Sequence, residues 1–436
     1  MKKKEIFFFC SGEDYILREL NIVNFFFKIK KEYKCNFFFK KEIETDLKNK
    51  KIFFAKKKFR LILWTILNTI VNDLLIKRNT PIYLHKTLDK FCFYIKNRKL
   101  LFFINIIRRI KIHKLIIYLI YIILQKTNEF DYKSNKNIIF LIYDGVWSLE
   151  AFDIINHANK LGNKSILIPP NWDHPFKLYI LKPSLVLTWG EESKNFVKNK
   201  FNLNCNAIGS ARLELAFKNI KNKIKKKRYN KKYYKILFAG SIIPQEDILL
   251  LKKINEHISK KAYKIKIIYR PHPFGFSQIN LSLFMKKKSK FGIKDVYFDK
   301  HLLHNKQNDL KSYVSLFLEI DGLISSFSTL TLEAAIYKLP ALCYAINNQN
   351  SKHYKLFNHE IQLKYLSHLN LLNKYSWPIK VYGQTFFLDK FDKLVSEITS
   401  NNSYKRNMII NKILNREVFN DDNSYYQRLK QQIEKI

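Results

Sequence analysis

Short apolar runs alternate with amphipathic stretches along almost the whole chain. Ile6 to Cys10, Asn36 to Phe39 and Ile52 to Ala55 are apolar runs of strand length, and Glu13 to Phe26 has helical character. From 58 to 125 the pattern turns mainly helical. Phe59 to Ile76 forms one apolar helix. Leu100 to Gln125 is a longer apolar run, interrupted by Arg108, Arg109, Lys111, His113 and Lys114, which makes it a poor membrane span. A polar loop over 126–135 follows. Strands are then predicted at Asn137 to Tyr143, Ser165 to Ile168, Leu185 to Thr188 and Cys205 to Ile208. Helices are predicted at Trp147 to Leu161, closed by Gly162, and at Glu191 to Lys200. A second series follows: strand Ile236 to Ala239, helix Gln245 to Ser259, strand Lys264 to Tyr269, and a short strand near Val296 to Phe298. Glu319 to Tyr344 then reads as strand, polar turn, helix and strand, with Leu339-Pro340 ending the helix. Strand and helix in alternation predict an α/β chain with parallel sheets.

The densest charge run, residues 218–235, separates the two series and reads as an exposed basic linker. The expected division is an N-terminal domain over 1–217 with a helical insertion near 58–125, and a C-terminal domain over 236–388. A helical tail over 389–436 packs back toward the first domain.

Composition changes this picture little. Net charge is +43, but most of the excess is Lys spread among Ile, Asn, Phe and Tyr, so it does not argue for a specific nucleic-acid partner. Arg is scarce, so an Arg in an apolar setting carries more information. The basic, aliphatic 100–125 run suits either an anionic membrane surface or an internal helix. The five cysteines are far apart and lack metal-ligand spacing, which fits a reducing compartment. Ile6 to Cys10 is too short for the apolar core of a secretory signal, so a cytoplasmic location is expected.

Polar residues gather where predicted strands end. Gly240-Ser241 follows one strand and Arg270-Pro271-His272-Pro273 another. Ser325, Ser326, Ser328 and Thr329 crowd the turn before Leu330. Arg270 matches a phosphate with its planar fork, and His272 donates to an anion or titrates near neutrality. The turn adds hydroxyl donors, backbone N–H groups and a helix dipole. Glu333, one turn beyond Thr329, suits sugar hydroxyls. These residues form the candidate nucleotide site. The same Ser and Thr residues also suit a plain helix cap.

The sequence Arg270-Pro271-His272-Pro273 together with Ile324 to Ala334 resembles bacterial surface-polysaccharide glycosyltransferases of the GT-B fold. These include Kdo transferases, HP-motif sialyltransferases and CDP-glycerol glycerophosphotransferases. Trp172-Asp173, Trp189-Gly190 and Gly209-Ser210-Ala211-Arg212 fit the same group, and the likeness runs from about Ile138 to Tyr344. It implies two Rossmann-like domains with parallel sheets facing across a cleft. His272, Arg270, Gly240, Ser241, Ser326, Ser328, Thr329 and Glu333 would hold the donor nucleotide, His272 and Glu333 with catalytic roles. Trp172, Asp173 and His174 would lie on the acceptor side. No Asp-x-Asp metal motif ends a matching strand, so no metal and no resident cofactor are expected. The co-substrate would be a CMP-, CDP- or UDP-linked sugar. Asp144-Gly145 matches the acidic-acidic-Gly motif of the sialyltransferases in part, Tyr143 taking the other acidic position. Asp144 is the candidate base, with Asp173, His174, Glu13 and Asp14 as rivals.

The expected activity is transfer of a sugar to a surface glycan or lipid-linked acceptor, as in capsule or lipopolysaccharide assembly, with an anionic membrane surface as a further partner. A CDP-polyol phosphotransferase and a nucleotide-sugar 2-epimerase are alternatives on the same fold. A basic RNA- or membrane-binding protein is the non-enzymatic one.

Overall fold

The computed structural model of the chain describes residues 3–11, 14–40, 50–52, 58–76, 106, 113–128, 130–132, 137–172, 174–175, 178, 180–224, 232–240, 244–271, 296–298, 316–326, 329–345, 379–380, 384–399, 408, 411, 414–416 and 418–436. It divides into two compact units. The first holds Met1–Glu214 with Asn415–Ile436, and the second Leu215–Leu414.

The first unit is built on seven parallel strands: β1 (Glu5–Cys10), β2 (Lys34–Phe39), β3 (Lys50–Ile52), β4 (Ile138–Tyr143), β5 (Lys164–Leu167), β6 (Leu185–Thr188) and β7 (Cys205–Ala207). Their order is β3-β2-β1-β4-β5-β6-β7, so the winding reverses between β1 and β4. Both of these central strands are almost wholly apolar, as a parallel strand covered on two faces must be. The pleat sends alternate residues to opposite cores. Ile6, Phe8, Leu141 and Tyr143 join one, while Phe7, Phe9, Phe140 and Ile142 join the other, where Phe7 stacks on Phe38 at 4.2 Å.

Helices cover each face. Helices α1 (Asp14–Ile22) and α2 (Phe25–Glu32) lie on the Ile6–Phe8 side. The sequence predicts one helix over 13–26; instead the chain turns at Asn24, which adopts a left-handed φ of 52°. Asn tolerates that conformation, and the break turns Val23, Phe25, Phe26 and Ile29 together into the core. The other face carries α3 (Lys58–Ile76), α4 (His113–Lys126) and α5 (Leu149–Lys160). Two further helices, α6 (Glu191–Phe201) and α7 (Ala211–Ile224), follow, so regular helix continues into the basic 218–235 stretch.

Arg60 of α3 is buried. Its fork meets Asp153 of α5 at 2.8 and 2.6 Å, and it also donates to the Leu124 carbonyl and the Thr127 hydroxyl at the end of α4. One guanidinium thus ties three helices together.

The second unit has six parallel strands: β8 (Tyr234–Ala239), β9 (Ile265–Arg270), β10 (Val296–Phe298), β11 (Gly322–Ser326), β12 (Ala341–Ala345) and β13 (Ile379–Lys380). Their order is β10-β9-β8-β11-β12-β13, so the reversal falls between β8 and β11. Helix α8 (Pro244–Lys260) and α10 (Gln384–Thr399) pack on its core through Leu251, Ile254, Phe391 and Leu394. Helix α9 (Leu330–Ile336) links β11 to β12.

The chain ends back in the first unit. Helix α11 (Tyr425–Lys435) starts at a capping box of Ser424 and Gln427 and buries Tyr425, Tyr426, Leu429 and Ile433. Arg428 donates to the Ile208 carbonyl at 2.7 Å, and the Phe419 N–H to the Trp189 carbonyl at 2.6 Å. Gly209, with φ of +79°, leaves room for this segment, since a Cβ there would lie 2.3 Å from the Phe419 carbonyl oxygen.

Candidate active site

In an open parallel sheet the two crossovers at the winding reversal leave in opposite directions, and a crevice opens beyond the strand ends there. In the second unit that point lies between β8 and β11. Ala239, at the end of β8, pairs with Ser325 on one side and Arg270 on the other. The backbones of Arg270 and Ser325 therefore stand about two strand spacings apart, roughly 10 Å. Gly240 leaves β8 between them and donates its N–H to the Arg270 carbonyl at 2.8 Å. The Arg270 side chain is half-buried.

Thr329 precedes α9 in helical conformation and its side chain makes no capping bond. Ser325 is fully buried, with its hydroxyl 3.3 Å from that of Thr331, so it fastens the strand end to the first turn of α9. Glu333 is 3% exposed; it is a buried carboxylate, not a solvated one. Ser326 ends β11, and its side chain is outside the described residues, as are Ser241, His272 and Ser328.

Glycine at 240 is required by its own surroundings. A Cβ there would lie 2.5 Å from Asp247 Oδ2 and 3.0 Å from the Tyr269 ring. Asp247 is fully buried and accepts the Tyr269 hydroxyl at 3.1 Å. Gly240→Ala must displace this pair. It is expected to lower stability by about 1–3 kcal/mol, read from the denaturant midpoint, and an unchanged midpoint would refute the packing account.

The first unit presents Asp144 at its own reversal, immediately after β4. Oδ1 accepts the Gly145 N–H at 2.7 Å, whereas Oδ2 is buried with no hydrogen-bond partner. Burial pushes this carboxyl up to about 6, and the charge of Glu150 adds to it. Ser148, the Gly145 N–H and Lys40 pull the other way. Ser148 caps α5 by accepting the Ala151 N–H, and its hydroxyl donates to Glu150 at 3.0 Å. Lys40, just past β2, reaches Glu150 at 3.4 Å.

An acid whose folded pKa lies above its unfolded value stabilises the fold most below the unfolded value. That contribution disappears as pH rises from about 4 through 6. Asp144→Asn is therefore expected to gain on the wild type between pH 4 and pH 7, by on the order of 1–3 kcal/mol. Parallel stability curves across that range would contradict the assignment.

His174 belongs to the same neighbourhood. It is buried, its ring meets Trp147 edge-on at 4.3 Å, and its Nε2 lies 3.1 Å from the Asn171 amide. Trp147 also packs within 3.3 Å of where a Gly145 Cβ would stand. Trp172 is half-buried, and Asp173 lies outside the described residues, as does Glu13. Asp14 opens α1, its side chain undescribed.

Ser11 carries little signal in the sequence. It follows β1, is buried, and its hydroxyl has no hydrogen-bond partner. Its one sequence signal is a small hydroxyl residue directly after the first strand. Among the described residues no three His, Cys, Asp or Glu side chains are grouped to hold a metal ion, and no helix is long and apolar enough to cross a membrane.

No protein-family model matches the chain, and no curated protein matches it in sequence. Solved structures do match. A glycosyltransferase from Rickettsia africae ESF-5 superposes with a TM-score of 0.50 at 12% identity, covering 100% of this chain and 98% of its own. The N-terminal domain of trehalose-6-phosphate phosphatase from Candida albicans gives a TM-score of 0.50 at 9% identity, covering 100% and 97%. MurG from Acinetobacter baumannii gives 0.48 at 10% identity, covering 99% and 100%. At these identities the likeness is one of architecture. The protein is an α/β chain of GT-B-like fold, with two Rossmann-like units each built on a parallel sheet. One of these structures is named a glycosyltransferase and another a phosphatase domain, so chemistry has to be argued from the site.

Proposed function

We propose that this protein is a glycosyltransferase that moves a sugar from a nucleotide-activated donor to a surface glycan or lipid-linked acceptor. The observation that carries this reading is topological. Asp144 in the first unit, and Gly240 and Ser325 in the second, stand at strand ends that flank the winding reversal, where such sheets take ligands, and Arg270 ends the next strand out. The second unit holds the nucleotide. Arg270 and His272 bind its phosphates, the Ser326–Thr329 turn adds donors, and Ser241 adds a further hydroxyl. Glu333 accepts from ribose or sugar hydroxyls.

Asp144 is the base in the first unit. Its raised pKa supports the role, since a carboxylate that binds a proton more tightly than usual removes one more effectively, yet is ionised at neutral pH. It takes the proton of the acceptor hydroxyl. That oxygen bonds to the anomeric carbon, and the nucleotide phosphate leaves with the electron pair of the broken C–O bond. Arg270, His272 and the backbone N–H groups of the turn stabilise the departing charge, so the reading requires neither metal nor cofactor. Trp172, Asp173 and His174 flank the acceptor.

The protein works at the inner face of the plasma membrane in this reading. Support comes from Phe59 and Ile62 on α3 and Leu115, Tyr118 and Leu119 on α4, large apolar side chains left exposed on two packed helices.

Thermal melting with CMP, CDP, UDP and GDP tests the donor site and identifies the nucleotide. One of them should raise the melting temperature of the wild type. Arg270→Ala, His272→Ala and Glu333→Ala should each reduce that rise. The proposal fails if no nucleotide changes melting.

A further inference from the structure

We propose that Ser11 and Asp144 together form a subsite for a hydroxyl of the sugar or polyol acceptor, with Ser11 as a binding residue. The inference deepens the glycosyltransferase reading and rests on it for the word acceptor. The subsite itself rests on three observations.

The first is register. Cys10 of β1 pairs with Tyr143 of β4, so the residues that follow, Ser11 and Asp144, leave adjacent parallel strands side by side. Their backbones are about 5 Å apart, a span one hydroxyl group can bridge. The second is position, since these two strands flank the winding reversal of the sheet. The third is an imbalance of hydrogen bonds. Ser11 is 7% exposed and Asp144 6%, yet neither Ser11 Oγ nor Asp144 Oδ2 has a partner.

Leaving a buried polar atom unpaired costs about 1–3 kcal/mol. Two such atoms at neighbouring strand ends therefore weaken the fold unless something else pairs with them. Their chemistry is complementary to a hydroxyl group. A carboxylate oxygen only accepts, so it takes the ligand's O–H. Ser11 can donate its own proton to the ligand oxygen. A ligand with a single acceptor atom, such as a carbonyl, would satisfy Ser11 and leave Asp144 unpaired. An anion would be repelled by Asp144. Within this cluster Ser148 donates to Glu150, accepts the Ala151 N–H and also steadies the Asp144 carboxyl, yet Asp144 Oδ2 is left without a partner, and Glu150 is held by Lys40. The free valences thus belong to Ser11 and Asp144.

Saturation-transfer NMR tests this on the full chain, with glycerol, glucose, galactose and N-acetylglucosamine as probes at millimolar concentration. At least one should give a signal with the wild type, and Ser11→Ala and Asp144→Asn should each weaken its binding at least fivefold. Both variants should melt no lower than the wild type at pH 7, because Ser11→Ala removes an unpaired hydroxyl and Asp144→Asn a buried charge; a merely structural role predicts lower melting and unchanged binding. Absence of signal from all four probes, or equal binding by the variants, overturns the subsite. Nucleotide-induced melting shifts measured on the same samples separate the two proposals. A shift without probe binding removes the subsite alone, and probe binding without a shift removes the donor site alone.

Discussion

Ending the chain at Leu414 is expected to unfold the first unit. The removed segment includes α11, whose Tyr425, Tyr426, Leu429 and Ile433 are all buried against β1, β2 and β4 residues of the core. Burial of four such side chains contributes roughly 6–12 kcal/mol. A domain has about 5–15 kcal/mol of total stability, so the loss is comparable with the whole. The truncation also removes two polar partnerships. The Tyr425 N–H donates to Glu214 at 2.5 Å, and Arg428 to the Ile208 carbonyl. Hydrogen exchange at the amides of β1 and β4 reads the outcome. Exchange at the rate of an unfolded chain is expected. Protection equal to that of the full chain would show that the tail is an ornament on a self-sufficient sheet. Leu429→Ala offers a milder version, with an expected cost of about 2–5 kcal/mol.

The second large effect is at Arg60. Its guanidinium is 1% exposed, and it faces an Asp153 that is fully buried. Removing the cation leaves a carboxylate in an apolar interior, which costs about 3–5 kcal/mol. The Leu124 carbonyl at the end of α4 loses its donor as well. Arg60→Met keeps much of the volume and should show nearly the full loss. Replacing both partners, Arg60→Met with Asp153→Leu, should recover a large part of it, because no buried charge then remains. Equal destabilisation by the single and the double variant would mean that packing, not charge pairing, governs this junction. The measurement is a double-mutant cycle of denaturant midpoints at one pH.

Because Arg is scarce in this sequence, an Arg in an apolar setting is informative. Arg60 sits in such a setting, as Phe59-Arg60-Leu61-Ile62, and Arg428 is likewise buried. Both serve architecture by joining elements far apart in the chain. Arg270, by contrast, stands at a strand end, one strand out from the winding reversal.

The alternation of apolar runs and amphipathic stretches was enough to fix an α/β chain with parallel strands, because burial on both faces demands runs such as Ile138–Tyr143. Hydroxyl and charged residues after strands were also legible, since the backbone must turn there and turn residues are recognisable in one dimension. Other features depend on partners distant in sequence. Strand order decides that Ser11 lies beside Asp144, 133 positions apart by their numbering. Burial decides that Glu333 is enclosed and that Asp144 holds its proton to about 6. The resemblance implies Gly240 in the nucleotide site, and only packing shows Asp247 and Tyr269 in the space a side chain there would take. Local pattern encodes which face of an element is apolar. Which elements meet, and which polar atoms are left without partners when they do, is settled only once the whole chain has folded.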